Sequence, residues 1–300
     1  MPQEKSYKTY GELISERFQW KMQKLAINAG FSCPNRDGTI GTGGCSYCNN
    51  QSFVPSYCVP TDSVTKQLEK GKQFFGKKYP NMHYLAYFQA YTSTHSKDRS
   101  HLVSLYEEAL KVDKIEGIII STRPDCVDIN LLDTLKKLEE TGKQVMFEIG
   151  VETTHDITLS RTNRGHSWKV ARESIRLVSS YGFDVCVHLI MGMPGETKED
   201  MRLTVERICK EPITSLKLHQ MQIIEGTPLA SQWRKETDHC YLFSAEEYIE
   251  FCRELIDLIP KNIAIERFTS SAPDNLLLAP RWGLKNYEFT NLLDGVLNNQ

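Results

Sequence analysis

No stretch of this 300-residue chain is apolar for long enough to cross a bilayer. Its longest apolar runs, at 117–121 and 187–193, are strand-length, whereas a helical span needs about 20 residues. The first twenty residues mix acidic and basic side chains and do not read as a leader, so a cytoplasmic protein without membrane contact is expected. An excess of positive charge is also missing: 36 Lys and Arg stand against 38 Asp and Glu, a net charge of −2. The global basic footprint of a non-specific nucleic-acid binder is therefore absent. Any RNA contact has to use local segments, namely Lys66, Lys70, Lys72, Lys77 and Lys78, then Arg161, Arg164, Lys169, Arg172 and Arg176, although such charges ordinarily solvate helix faces. There is no internal repeat, low-complexity tract or long linker, which suits one domain over 1–300 with a core of about 20–260 and a C-terminal extension of about 261–300.

The nine cysteines do not suggest a disulfide framework in a cytosolic chain. Cys126, Cys186, Cys209, Cys240 and Cys252 are scattered and read as small buried hydrophobes. Three others form a pattern. Cys33, Cys45 and Cys48 lie in CPNRDGTIGTGGCSYC, the last two as a C-x-x-C with Tyr47 between them. Three thiolates can hold a cubane iron–sulfur cluster at three corners and leave one iron open to a ligand. The competing reading is a zinc tetrahedron completed by Cys58.

Short apolar runs alternate with amphipathic segments. Strands are expected at 24–28, 83–89, 116–121, 144–151, 183–190 and 214–222, and helices at 63–76, 98–111, 129–141, 167–181, 197–210 and 244–259. Asp62 or Ser63, Asp128 and Ser167 are candidate N-caps, while Gly142 and Gly182 sit where helices should stop. A strand near 262–267 and a closing helix are expected at the C-terminus. Six alternating units imply a parallel sheet with right-handed crossovers, open or curled into an incomplete barrel, with ligands at the C-terminal strand ends. There the chain places the cysteine loop, then Gln89 to His95, Ser121 to Asp125, Glu148 and Glu152, His188, and His219 with Gln220.

These pieces in order (the cysteine loop, AYFQAYTSTHS, STRPD, FEIGVETTHDITLSRTNRGHS, VHLIMGMPGET and LHQMQIIEGTPLA) resemble the radical S-adenosylmethionine (SAM) superfamily. Within it they resemble the YtqA/YhcC subgroup, related to the Elongator catalytic subunit and to oxygen-independent coproporphyrinogen oxidase. Most members space the trio C-x3-C-x2-C, whereas eleven residues separate Cys33 from Cys45 here, as in that subgroup. Ser121 stands where relatives carry a SAM-contacting glutamate, and Gln89-Ala90 where many have a Gly-Gly pair. The resemblance implies a partial (β/α)6 TIM-like barrel. It also implies one [4Fe–4S] cluster on Cys33, Cys45 and Cys48, and reductive cleavage of SAM to methionine and a 5′-deoxyadenosyl radical. Glu152 would lie beside the SAM ribose or methionine, Arg164 at its carboxylate, and His188 at the ribose. Tyr47 would pack on the adenine side near the turn Gly192-Met193-Pro194-Gly195, and Gln89 would face the same site. For the subgroup it implies tRNA as substrate, at the 5-position side chain of wobble uridine, and an electron donor such as flavodoxin or ferredoxin. The alternatives are a small-molecule or protein substrate for the same chemistry, or a zinc-stabilised nucleic-acid-binding module without catalysis. Cys58, His95, Tyr91, His219, Arg267 and Trp282 have no assigned role from sequence.

Overall fold

The computed structural model describes residues 5–76, 81–237 and 239–298. The elements run α1 (Tyr10–Arg17), β1 (Met22–Ile27), α2 (Val64–Gly76), β2 (His83–Phe88), α3 (Arg99–Leu110), β3 (Ile115–Thr122), α4 (Ile129–Glu139), β4 (Gln144–Glu152), α5 (Asp156–Arg161), α6 (Trp168–Ser180) and β5 (Asp184–Met191). They continue through α7 (Lys198–Ile208), β6 (Ser215–Gln220), β7 (Ile223–Ile224), α8 (Pro228–Arg234), α9 (Ala245–Leu258), β8 (Ala264–Arg267), β9 (Leu277–Ala279) and α10 (Asn286–Asn298). The six expected strands and helices are all present within a few residues. The strand and closing helix expected at the C-terminus are β8 and α10.

Seven strands make one parallel sheet in the order β1-β2-β3-β4-β5-β6-β8, curled into a partial barrel. The β7–β9 pair is a separate antiparallel ribbon. Strand period sorts the side chains into two sets. Leu25, Ile27, Phe88, Ile118, Ile120, Phe147, Val187 and Leu218 face outward into the main apolar cluster, against Leu68, Tyr106, Leu135, Ile175 and Val205 from the helices. Caps fix where those helices begin. Asp128 accepts from the Leu131 amide and Ser167 from that of Val170. Ser63, not Asp62, caps α2 by accepting from the Lys66 amide, and Asp62 pairs with Lys66 and Lys70 instead.

The inner face is layered. At the bottom, Ile14 of α1 packs on Leu85, Tyr87, Ile119 and Met146, and Arg17 pairs at 2.8 Å with Asp184, the first residue of β5. Helix α1, unanticipated from sequence, thus plugs the N-terminal end of the barrel. Above it lies a buried ring of charge. Lys24 is 2.7 Å from Glu148 and 2.6 Å from Glu266, and Lys217 is 2.6 Å from Glu148 and 3.0 Å from Glu266. Lys24 and Glu266 sit on the two edge strands, so this pair ties the sheet edges together. Tyr87 donates to Glu148 at 2.5 Å, and His188 Nε2 lies 2.8 Å from the same carboxylate.

Candidate active site

Above the ring, the C-terminal strand ends open into a cavity of about 250 Å³. Cys33, Cys45, Cys48, Tyr47, Gln89, Glu152, Arg164 and His188 all line it. So do Ser121, His219 and Arg267.

The loop bearing the cysteines is stapled rather than free. Cys33 C=O accepts from the amides of Arg36 and Asp37, and Gly44 N–H donates to Asn35 C=O. Arg36 lies against Gly44, where a Cβ would approach its Nε to 2.7 Å, and donates to Cys48 C=O at 2.6 Å. The α5–α6 turn grips the loop from the far side. Asn163 donates to Gly44 C=O at 2.8 Å, Ser46 N–H donates to Thr162 C=O at 2.9 Å, and Asn35 donates to Asn163 C=O. The TNRG segment therefore has a mechanical role: it holds Cys45 in place. Asn35, Arg36 and Asn163 were missed as site residues. The signal for Asn35 and Asn163 was a short polar side chain of the kind that bonds turn backbone; Arg36 carried no such signal.

Two β-bulges aim side chains into the cavity. In β4 the register slips between Gly150 and Glu152, and Glu152 has φ +71°. A bulge turns a side chain out of strict alternation, and here Glu152 meets Arg164 at 3.2 Å. Arg164 also donates to Gly150 C=O at 2.5 Å and points Nη1 at Cys45 Sγ, 3.6 Å away. Its Nε is buried without a partner. Burial would lower the Arg164 pKa, but Tyr47, Cys45 and Glu152 outweigh it and hold the guanidinium charged. Burial, reinforced by Cys45, pushes the Cys48 thiol up to about 11, so binding a metal there must expel a proton.

The thiols suit a cluster better than a single zinc. Tetrahedral zinc bonds sulfur at about 2.3 Å, which sets sulfurs about 3.8 Å apart. Among the described residues, the one group of three His, Cys or acidic ligand atoms all within 4.8 Å of each other is Glu148, Cys186 and His188, not the trio. That group is filled by the ammonium groups of Lys24 and Lys217 around Glu148. Cys58 does not complete a tetrahedron: its thiol is buried and donates to Ala26 C=O at 3.0 Å.

Of the residues without an assigned role, His95 pairs with Asp37 at 2.8 Å. Trp282 donates to Phe243 C=O and packs between Tyr248 and Phe289, so simple packing accounts for it. Tyr47 sits against the apolar group of Met193, Met221, Ile223 and Leu229. The basic segments are largely neutralised. Lys66 and Lys70 pair with Asp62, Lys72 with Glu69, Lys169 with Glu173 and Arg176 with Glu211, while Arg161 donates to Pro194 C=O. Lys77 and Lys78 lie outside the described residues.

The Radical SAM superfamily model matches residues 35–208, and a Radical_SAM C-terminal domain model matches 213–299. Protein YhcC of Escherichia coli K12 is 36% identical over 99% of this chain and 94% of its own length. A tRNA uridine(34) acetyltransferase of Methanocaldococcus jannaschii is 27% identical over 58% of this chain and 33% of its own. The solved archaeal Elp3 of Methanocaldococcus infernus shares the fold, with TM-score 0.64 and 18% identity over 93% of this chain and 63% of that one. With three cysteines converging on a glycine-rich cradle at the mouth of a partial barrel, the chain belongs to the radical SAM superfamily, whose enzymes use a [4Fe–4S] cluster and SAM.

Proposed function

We propose that this radical SAM enzyme modifies the 5-position side chain of wobble uridine in tRNA, turning carboxymethylaminomethyl towards the aminomethyl and methylaminomethyl forms. The observation that carries this reading is the mouth of the cavity, where two exposed aromatic rings, Phe53 and Tyr91, flank the way in. Single-stranded nucleic acid is held by stacking splayed bases on aromatic side chains. Tyr91 is pinned for such a role. Its φ is +58°, costly for a bulky residue, and its amide donates to Asn50 Oδ1 at 3.0 Å. The relative named as a tRNA uridine(34) acetyltransferase supports the same substrate class. The paired lysines of α2 do not support an RNA approach over that helix, so the approach runs across the rim aromatics.

In this reading Cys33, Cys45 and Cys48 would hold the cluster, which together with SAM would supply the radical chemistry at the substrate. The chain's own work is binding and orientation. Arg164 offers its unpartnered Nε edge to the SAM carboxylate, where a guanidinium fork fits, and Glu152 is fixed beside it for the ribose or methionine end. Tyr47, with Met193 and Met221, forms the adenine side. His188 and Gln89 face the ribose. A flavodoxin or ferredoxin would supply the electron. No described helix is long and apolar enough to cross a membrane.

Gly150 tests the Arg164 assignment. A Cβ there would lie 2.7 Å from Arg164 Nη2 and 2.7 Å from Glu152 Oε1. Gly150→Ala is expected to weaken SAM binding about tenfold or more, with bound iron retained, by equilibrium binding on the reconstituted protein. Unchanged affinity would remove Arg164 from the SAM carboxylate.

The substrate is tested by anaerobic incubation of the cluster-loaded enzyme with SAM, dithionite and tRNA carrying carboxymethylaminomethyluridine, followed by nucleoside mass spectrometry. Conversion of that nucleoside is expected. Unaltered tRNA alongside SAM cleavage would sink the tRNA reading and leave a small-molecule or protein substrate.

A further inference from the structure

Four arginines line the cavity, and three are accounted for. Arg123 forms a two-pronged pair with Asp125, at 2.9 and 2.8 Å. Arg164 has Glu152, and Arg36 has the Cys48 carbonyl. Arg267 is different. Among the described residues neither a carboxylate nor a carbonyl pairs with it, and its Nε, like that of Arg164, is buried without a partner. The acids of the lumen and cavity are already taken, since Glu148 and Glu266 each meet both Lys24 and Lys217 and Glu152 meets Arg164. Two cations and two anions make that ring neutral, so the Arg267 charge is left over.

The backbone puts it there. Opposite β6, the register of β8 jumps from Ile265 to Arg267, so Glu266 is an extra residue. Strict alternation would send Glu266 and Arg267 to opposite faces. The bulge lets Glu266 enter the ring while Arg267 lines the cavity above it. The chain just after Arg267 is pinned: Ser270 N–H donates to Gln220 Oε1 at 2.8 Å, and Ser270 C=O accepts from Gln220 and Gln222. His219, on the cavity wall, also has a buried ring nitrogen, Nε2, with no partner. An uncompensated cation beside an unfilled ring nitrogen, both facing a ligand cavity, calls for an anion.

We propose that Arg267 and His219 form the receptor for a carboxylate on the substrate's side chain. This deepens the tRNA reading and rests on it, because carboxymethylaminomethyluridine ends in a carboxylate. The guanidinium takes the carboxylate oxygens and His219 Nε2 takes the second contact. Holding the acid end in this way presents the carbon next to the nitrogen to the SAM side of the cavity. It also explains how the enzyme distinguishes the carboxymethylaminomethyl form from its products, which lack the acid.

The test is anaerobic titration calorimetry on the cluster-loaded protein with SAM bound. The probes are free 5-carboxymethylaminomethyluridine, 5-methylaminomethyluridine and inorganic phosphate, with wild type, Arg267→Gln and Arg267→Lys. Wild type is expected to bind the carboxylate nucleoside about tenfold or more tighter than its partner. Arg267→Gln should erase that preference, and Arg267→Lys should restore part of it. Equal binding of the two nucleosides by wild type, no binding of either, or a preference that survives in Arg267→Gln overturns the proposal. Loss of phosphate binding in Arg267→Gln without any nucleoside preference would make this a phosphate contact, and a tenfold weaker SAM affinity in that variant would assign Arg267 to SAM; either result overturns it too. The tRNA reading fails separately, on the absence of nucleoside conversion.

Discussion

Cys45→Ala is expected to lose its cluster and all measurable 5′-deoxyadenosine formation, bound iron falling from about four per chain to a trace. Cys45 is the most enclosed of the trio, with 4% of its surface exposed. Arg164 and Asn35 both reach its sulfur, at 3.6 and 3.8 Å. Two remaining thiolates cannot replace a corner that is clamped on the loop side by Asn35 and on the barrel side by Arg164. The control is Cys58→Ala. That thiol is bonded to Ala26 C=O away from the cavity, so the variant should keep its iron and its turnover. Iron analysis and product chromatography on the two variants decide the matter. Iron lost from Cys58→Ala and kept in Cys45→Ala would place the metal elsewhere.

Glu148→Gln should be the most destabilising single change in the barrel lumen. Burial would raise the Glu148 carboxyl, but Lys217 and Lys24 outweigh it and hold it well below its ordinary value of 4.5. Burial also draws Lys217 down, against Glu148 at 2.6 Å and Glu266 at 3.0 Å, which favour its charged form. Removing the Glu148 charge leaves two buried ammonium groups facing one carboxylate. Breaking a buried pair in this way costs about 3–5 kcal/mol, or roughly 10 °C in melting temperature for a chain of this size. Glu148→Gln/Lys217→Met removes one charge of each sign, leaves Lys24 paired with Glu266, and should recover part of the loss. The pH dependence follows from the depressed carboxyl: its stabilisation is fully present above about 4.5 and is lost as the pH falls through the lowered value. Wild type should therefore lose melting temperature on acidification below about pH 4.5 more steeply than Glu148→Gln. Thermal melts at several pH values test both statements. A Glu148→Gln variant as stable as wild type would mean that the ring is not a paired ionic network.

Much of this architecture is legible in the chain because local rules carry it. Asp128 and Ser167 cap the helices they precede, Gly142 and Gly182 take positive φ after helices, and the apolar runs mark the strands. The cysteine trio, Glu152 and Arg164 meet in one cavity because they follow or end strands that run in the same direction, and His188 joins them from inside β5. What escaped reading is what depends on the curl of the sheet. Lys24, Lys217 and Glu266 each interrupt an apolar strand, and that was a signal. Without knowing which face becomes the lumen, however, a charge in a strand looks like an exposed edge residue. His188 reads from sequence either as a ribose contact or as a structurally satisfied strand histidine, and the partner that satisfies it, Glu148 at 2.8 Å, could not be named. The bulges at Glu152 and Arg267 insert residues out of period, which alternation alone cannot foresee. The basic segments, most of whose charges read as solvating helix faces, do not form free patches either. Counted along the sequence they look like patches, but Asp62, Glu69, Glu173 and Glu211 fold against them.

The most direct test of the account is anaerobic reconstitution of the wild-type protein with iron and sulfide, then addition of SAM and dithionite, reading iron content, visible absorbance and 5′-deoxyadenosine. A brown protein with about four irons per chain that cleaves SAM to 5′-deoxyadenosine is expected. A colourless protein that takes up zinc and leaves SAM intact would contradict it and return Cys33, Cys45 and Cys48 to a structural role.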